Sequence, residues 1–340
     1  MGRFIFNRVR PINGWFVKDA DINKRRRKID VIGKEYFKNK GYKNFGYFLN
    51  IGITNTSQTL QDTGGTNRTM DGNYNTGVII GAMPYNSFMG LNLGSSSDPH
   101  DVSRYELISR HFNTPMNGIA WVDEDNGKLV LQTFSTYVIP DSSRTVGEVG
   151  LYLTSAYMPC FLIARSIPSS PFTRNYNTWY RDGWKITFPS NYTKYYLTVA
   201  LTKNTWNLGE QWGSLVKDVN GNYYVIRQHS PFSGSPDVMI GSDNTPPNFE
   251  DYALKSPIGS LSSQSQSVEV DTVNQEVRVV RTGTYTPSSS VYLGEVGLFT
   301  NLYDTSGTAR KVMIVRGVWD TPILLSSGTT YTIGIVLVLG

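Results

Sequence analysis

The stretch Gly147-Glu148-Val149-Gly150-Leu151-Tyr152 returns 147 positions later as Gly294-Glu295-Val296-Gly297-Leu298-Phe299. The same offset carries Gly94-Ser95, Pro99, Tyr105, Leu107 and Ser109 onto Gly241-Ser242, Pro246, Tyr252, Leu254 and Ser256. It also carries Pro140 and Ser142-Ser143 onto Pro287 and Ser289-Ser290. Beyond the motif, Ile163, Arg165 and Pro171 align with Ile314, Arg316 and Pro322 at an offset of 151, so four residues have been added in between. Upstream, Gly72-Asn73-Tyr74 resembles Gly221-Asn222-Tyr223, and Tyr47-Phe48-Leu49 resembles Tyr195-Tyr196-Leu197. A period this long belongs to duplicated whole domains and not to a solenoid. The expected division is an N-terminal arm over 1–43, a first copy over 44–190 and a second over 191–340.

Both copies read as β throughout. Lys128–Phe134, Ser267–Val270 and Glu276–Val280 are short, rich in β-branched residues and alternate with polar ones. Asp125-Asn126-Gly127 and Asn220-Gly221 are hairpin turns, because Asn and Gly accept the positive φ such turns require. The nearly continuous apolar run from Thr330 to Leu339 predicts a central strand covered on both faces. The expected fold is all-β: two tandem duplicated antiparallel β-sandwich domains, jelly-roll-like, behind a basic arm.

Within the repeated hairpin, an antiparallel register that sets Glu148 opposite Arg165 also sets Gly150 opposite Ile163. In the second copy Glu295 then faces Arg316 and Gly297 faces Ile314. The four extra residues fall between Asn301 and Arg310, and an even number preserves the faces of both strands. The expectation is two cross-strand ion pairs that fix register. A catalytic use of acids set in apolar strands is the alternative.

The charge is unevenly spread. Residues 1–43 hold thirteen Lys or Arg against four acids, a net of +9, whereas the rest of the chain nets −4. The arm's basic and aromatic residues interleave: Arg3, Phe4, Phe6, Arg8, Arg10, Trp15, Phe16, Lys24, Arg25, Arg26, Arg27 and Lys28. Charge alone fits nucleic acid or the acidic surface of a partner. The aromatics favour docking into a protein groove over a nucleic-acid tail, with a merely solvated basic face as the third reading. Ile22, Ile29, Ile32 and Tyr36 fall on one side of a possible amphipathic helix over Asp21–Lys38, although Gly33 weakens it.

Composition restricts the chemistry. Charged residues make up 17 % of the 340, and the chain has one cysteine and three histidines. No disulfide framework or cysteine zinc cluster is possible within one chain. No phosphate loop, His-Glu-x-x-His, Cys-x-x-Cys or Gly-x-Ser-x-Gly occurs. His100, beside Asp98 and Asp101, reads as a loop residue, and Cys160 as a buried, inert thiol. The expectation is a soluble protein without catalytic residues, cofactor, metal or membrane span; no apolar run is long enough to cross a bilayer, and the first residues lack the apolar core of a secretory signal. One stretch, Asn175–Trp184, reads as a recognition surface in which Tyr176, Trp179, Tyr180 and Trp184 are flanked by amides and Arg; copy one is expected to be about six residues longer here. Thr205–Trp212 is a weaker candidate of the same type. Trp packing at a domain junction, a protein interface and a glycan site all remain open for these residues.

Copy two resembles β-sandwich modules in virion proteins of tailed viruses. The residues that carry the resemblance are Gly241-Ser242, Pro246-Pro247, Asp251-Tyr252-Ala253-Leu254-Lys255-Ser256-Pro257-Ile258, Gly294 to Phe299, Arg316 and the closing Gly328 to Ile333. Copy one departs from it, with Ser103-Arg104-Tyr105 in place of Glu250-Asp251-Tyr252 and no equivalent of Pro257. The resemblance implies a structural component of the particle, in head decoration, neck, tail or fibre, and brings no catalytic residues. On this reading the chain sits in the virion as a homo-oligomer, held to other virion proteins by its arm. The alternative is an adhesin or fibre protein that binds host-surface glycan through the aromatic stretch.

Overall fold

In the computed structural model, residues 3–25, 28–54, 57–70, 87–116, 121–125, 128–134, 140–155, 158–176, 179–188, 190–195, 214–226 and 237–339 are described. The chain opens with strands β1 (Arg3–Arg25) and β2 (Lys28–Gly41), then helix α1 (Lys43–Thr54) and the hairpin of β3 (Gln58–Gln61) and β4 (Asn67–Met70). Next come β5 (Ser87–Gly94), β6 (Arg110–Met116), β7 (Trp121–Asp125), β8 (Lys128–Phe134), β9 (Arg144–Val146), β10 (Glu148–Ser155), β11 (Met158–Ser166), β12 (Phe172–Arg174) and β13 (Trp179–Phe188). The remainder comprises β14 (Ser214–Lys217), β15 (Tyr223–Ile226), β16 (Asp237–Gly241), β17 (Pro257–Ser260), β18 (Ser262–Asp271), β19 (Glu276–Tyr285), β20 (Val291–Tyr303), β21 (Ala309–Leu325) and β22 (Tyr331–Leu339). The fold is all-β, with α1 the one long helix among the described residues.

A 12-stranded sheet runs β18-β19-β22-β1-β2-β11-β10-β5-β6, and a branch adds β13, β8 and β7 beside β1. A separate four-stranded sheet runs β17-β16-β20-β21, and three two-stranded ladders pair β3 with β4, β9 with β12 and β14 with β15. The buried apolar core is continuous from Tyr42, Leu93, Leu151 and Ile163 to Ile240, Leu298, Ile314 and Ile333.

Strand β22 is internal to its sheet, with β1 on one edge and β19 on the other. Ile333, Ile335, Leu337 and Val338 are buried, whereas Thr332 and Val336 are partly exposed, so its covering is nearly but not fully two-sided. Helix α1 has no counterpart in the expected pattern. Gly46 and Gly52 interrupt it, and its side chains Asn44, Phe45 and Asn50 are buried, with contacts to β3, β11, β18 and β19. Burial by the sheets compensates for the helix-weakening glycines.

The helix expected over Asp21–Lys38 is replaced by a hairpin. Residues Trp15 to Arg25 pair antiparallel with Lys28 to Lys38, with Ile22 opposite Val31 and Lys18 opposite Glu35. Val17, Ile22, Ile29, Val31 and Ile32 are β-branched and suit a pleated surface, and Gly33 disfavours a helix interior. The segment read as an arm is thus two strands of the large sheet: β1 joins β22 and β13, and β2 joins β11. Within it, Arg3, Phe4, Phe6, Arg8, Arg10, Trp15, Phe16, Lys24 and Arg25 lie on β1 and Lys28 opens β2; Arg26 and Arg27 are outside the described residues.

Candidate functional site

The repeated motif builds a buried charged brace at two places. Glu148 starts β10 and Arg165 lies near the end of β11. Both side chains are fully buried, and Arg165 Nε donates to Glu148 Oε2 at 2.7 Å. Glu295 on β20 and Arg316 on β21 repeat this at 2.7 Å, again with both side chains at 0 % exposure. The register is two residues from the expected one: Arg165 sits opposite Gly150, and Arg316 opposite Gly297. A shift of two keeps the faces, so Glu and Arg still meet, but on a diagonal. One residue of the shift comes from an irregularity at Leu151/Tyr152 and at Leu298/Phe299; the other comes from a second slip between Leu153 and Ser155 in the first hairpin and from the tip register of the second, where Tyr303 faces Ala309.

Burying a carboxylate is costly unless its acceptor capacity is filled. Here the backbone fills it. Glu148 accepts N–H bonds from Ser109 (2.8 Å) and Ile108 (3.4 Å), and Glu295 accepts them from Ser256 (2.7 Å) and Lys255 (3.1 Å). A glycine lies beneath each carboxylate: a Cβ on Gly94 would stand 2.4 Å from Glu148 Oε1, and one on Gly241 would stand 2.4 Å from Glu295 Oε1. Gly147 and Gly294 each lie against a serine carbonyl oxygen, at 2.4 Å from their virtual Cβ atoms. The Gly-Ser and Gly-Glu pairs of the repeat therefore share one purpose, which is to let four strands close around a carboxylate.

The two braces differ in how Arg is satisfied. Arg316 Nη2 donates to Asp243 (2.9 Å), and its Nη1 donates to Asp251 and to the Thr245 carbonyl (both 3.1 Å). In the first half the corresponding positions are Ser96 and Arg104, and neither supplies a carboxylate. Arg165 Nη1 instead donates to the carbonyls of Asp98 (2.9 Å) and Pro99 (3.1 Å), and its buried Nη2 has no hydrogen-bond partner. Tyr42 packs beside Arg165, and its hydroxyl lies 3.3 Å from His100 Nδ1. Burial pushes the Tyr42 pKa up against the pull of Arg165. His100 is a half-buried loop residue in contact with that ring.

A second device recurs three times. Asp62, Asp218 and Asp304 each begin a turn whose fourth residue is a glycine at positive φ: Gly65 (78°), Gly221 (84°) and Gly307 (82°). Each aspartate Oδ1 accepts the N–H of the residues two and four positions on, at 2.9–3.0 Å. These bonds hold the carboxyls of Asp62 and Asp304 well below the ordinary range; the largest causes are the Thr66 N–H and the Ser306 hydroxyl respectively. Gly65 packs against Tyr105 and Gly221 against Tyr252, so the β3–β4 hairpin corresponds to β14–β15. Gly221 therefore matches Gly65 and not Gly72, which is outside the described residues. Likewise, Lys43 N–H donates to the Val102 carbonyl and Lys194 N–H to that of Phe249, both at 2.9 Å, which matches Lys43 to Lys194 in place of the expected Tyr47 to Tyr195.

The aromatic stretch is not one exposed loop. Tyr176 is 57 % exposed, but Tyr180 is 2 % exposed and its hydroxyl accepts the N–H of Asn175 at 2.8 Å. Tyr331 does the same for Ser326, also at 2.8 Å. The offset of 151 thus continues to Tyr180, and the expected six extra residues before it are absent. Trp179 and Trp184 lie on β13, paired through the backbone with Ile22 and with Phe16 and Thr133. A strand paired with β1 from Trp179, and also with β8 from Gly183 onward, replaces the loop. Trp206 and Trp212 fall outside the described residues. Cys160 is half-buried against the core. Among the described residues no group of three or more His, Cys, Asp or Glu is placed to hold a metal, and no helix is long and apolar enough to cross a membrane.

The sequence matches no family model and no curated protein. Among solved structures, the crystal structure of 2'-deoxycytidine 5'-triphosphate deaminase from Agrobacterium tumefaciens aligns with 75 % of this chain and 89 % of its own, at 10 % identity and a TM-score of 0.12. A likeness that low carries no argument about fold or activity.

Proposed function

We propose that this chain is a structural, non-catalytic component of a tailed-virus particle. In this reading it consists of two copies of one antiparallel β-sandwich unit and attaches to neighbouring capsid, neck or tail subunits through its N-terminal segment. The observation that carries the reading is how the buried charges are used. Glu148, Arg165, Glu295 and Arg316 are all at 0 % exposure, and their bonds go to one another, to backbone groups of neighbouring strands and loops and, for Arg316, to the carboxylates of Asp243 and Asp251. Groups so placed brace strands and face no substrate. Support for duplication comes from the recurrence of the same bonds at constant offsets, down to Tyr180 and Tyr331. Support for the virion setting comes from the resemblance of Gly241–Ile258, Gly294–Phe299 and Arg316 to modules of that class.

Replacing Arg3, Arg8, Arg10, Lys24, Arg25 and Lys28 with Gln removes the basic charge of the segment while keeping β1 and β2 in the sheet, and tests the attachment. The neutralised protein is expected to remain β-rich by circular dichroism and to be lost from purified particles. Incorporation at the level of the unsubstituted chain would overturn the reading. Tyr176, exposed and next to a serine-rich loop, is the remaining element of the glycan-binding alternative. Loss of host-cell adsorption on Tyr176→Ala, with normal assembly, would favour that alternative.

A further inference from the structure

Strand β1 pairs in two regimes. From Asn13 onward it runs antiparallel to β13 on one edge, and from Trp15 antiparallel to β2 on the other. Before that, Arg3 to Ile12 run parallel to β22, from Arg3 opposite Tyr331 to Ile12 opposite Leu339; among the described residues no strand pairs with their other edge. The regimes meet at Pro11-Ile12-Asn13-Gly14, where the ladder slips: Val9 pairs with Leu337, but the next pair is Ile12 with Leu339. Pro11 has no N–H to give to a ladder, and Asn13-Gly14 accepts backbone conformations that other residue pairs avoid. The join is therefore the weakest point along the strand and a natural hinge.

The acceptor is the opposite in character. β22 is held along its other edge by β19, from Tyr285 opposite Tyr331 to Val277 opposite Leu339, and Ile333, Ile335 and Leu337 anchor it in the core. It is a fixed template with no charged side chain. Without residues 3–12 its other edge would present a row of unpaired N–H and C=O groups, which calls for a strand. Backbone pairing reads register and direction, and not which chain supplies the strand, so any copy of residues 3–12 fits the edge equally well.

Building on the reading of the N-terminal segment as an attachment, we propose that in the assembled state residues 3–12 swing at Pro11–Gly14 and pair with β22 of a second copy of this chain. The register is that seen within one chain, with Phe4 opposite Thr332 and Arg8 opposite Val336. Donor and acceptor are different elements, so each copy gives one strand and receives one, and repetition closes a ring or a reciprocal dimer without any new contact surface.

Paired cysteines test this in the full chain carrying Cys160→Ser. Phe4→Cys with Thr332→Cys uses an acceptor position that is partly exposed. After oxidation, the doubly substituted chain is expected to run as covalent dimers and larger species on non-reducing gels. Chains carrying Phe4→Cys alone, co-expressed with chains carrying Thr332→Cys alone, are expected to form a mixed covalent dimer that neither forms by itself. A doubly substituted chain that closes only on itself, with no mixed dimer, would overturn exchange. Arg8→Cys with Val336→Cys repeats the test at the next pair; if neither pair closes in any form, the β1–β22 pairing and the inference fall together. Self-closure combined with loss of incorporation on neutralising the basic residues of β1 and Lys28 would remove the exchange and leave the attachment reading standing.

Discussion

Replacing Arg316 with Met separates the two braces. The substitution keeps most of the side-chain volume and removes the charge. Three carboxylates then lose their shared partner: Glu295 at 0 % side-chain exposure, Asp251 at 4 %, which keeps Lys255 Nζ at 2.7 Å, and Asp243 at 27 %. Removing one member of a buried charge pair costs about 3–5 kcal/mol, because the other is left uncompensated. Arg316→Met belongs at the upper end, near ~5 kcal/mol. Arg165→Met strands Glu148 alone, which keeps its N–H bonds from Ser109 and Ile108, and it also removes an Nη2 that has no partner. Its loss is expected at the lower end, near ~3 kcal/mol. Guanidinium unfolding at pH 7, followed by tryptophan fluorescence and far-ultraviolet circular dichroism, measures both. Lowering the pH from 7 to 5 adds a check of sign. Buried carboxylates without a cation bind protons more readily in the folded state than in the unfolded one, so the deficit of Arg316→Met should shrink as the pH falls. A loss below about 1 kcal/mol for Arg316→Met, or a larger loss for Arg165→Met, would refute the reasoning from stranded carboxylates.

Ser96→Asp should stabilise the first half by about 1–2 kcal/mol, because it places a carboxylate where Asp243 serves Arg316 and so gives Arg165 Nη2 a partner; an unchanged or lower melting temperature counts against it. Gly94→Ala and Gly241→Ala should each destabilise by about 1–3 kcal/mol, since the new methyl would meet a Glu oxygen at 2.4 Å and a serine carbonyl at 2.5 or 2.6 Å; urea midpoints equal to wild type would exclude the close packing. Asp304 titrates below the ordinary carboxylate range, so its contribution is complete above about pH 4 and is lost as the pH falls through the depressed value. Asp304→Asn should accordingly flatten the acid limb of a melting-temperature profile, and an unaltered limb would place the effect elsewhere.

What could be read in the residues beforehand was the periodic part. Glu148, Arg165, Glu295 and Arg316 are identifiable because a charged residue at a fixed offset inside an apolar alternating strand has few other uses. Their register was not, because a bulge at Leu151/Tyr152 leaves no mark in the pattern of alternation. The hairpin of β1 and β2 was hidden by coincidence: Ile22, Ile29, Ile32 and Tyr36 satisfy helical spacing across a turn that the basic run at Arg25–Lys28 disguises. Tyr180 looked like part of a surface because aromatic residues beside amides fit both a binding loop and a buried hydroxyl capping a turn. Its relation to Tyr331 at the offset of 151 was the available signal. Helix α1 was hidden by Gly46 and Gly52, which disfavour a helix, and is held by strands from both halves of the chain.

The four residues added to the second hairpin lengthen the β20–β21 ladder as far as Tyr303 opposite Ala309 before Asp304 closes the tip, and residues 305–309 all face solvent. Growth at that tip in steps of two leaves every inward residue inward, and the aspartate clasp seals the end whatever precedes it. The protein thus has a place where foreign peptide can be grafted and displayed with no message reaching the braced interior, a loading point for epitopes or labels on every copy.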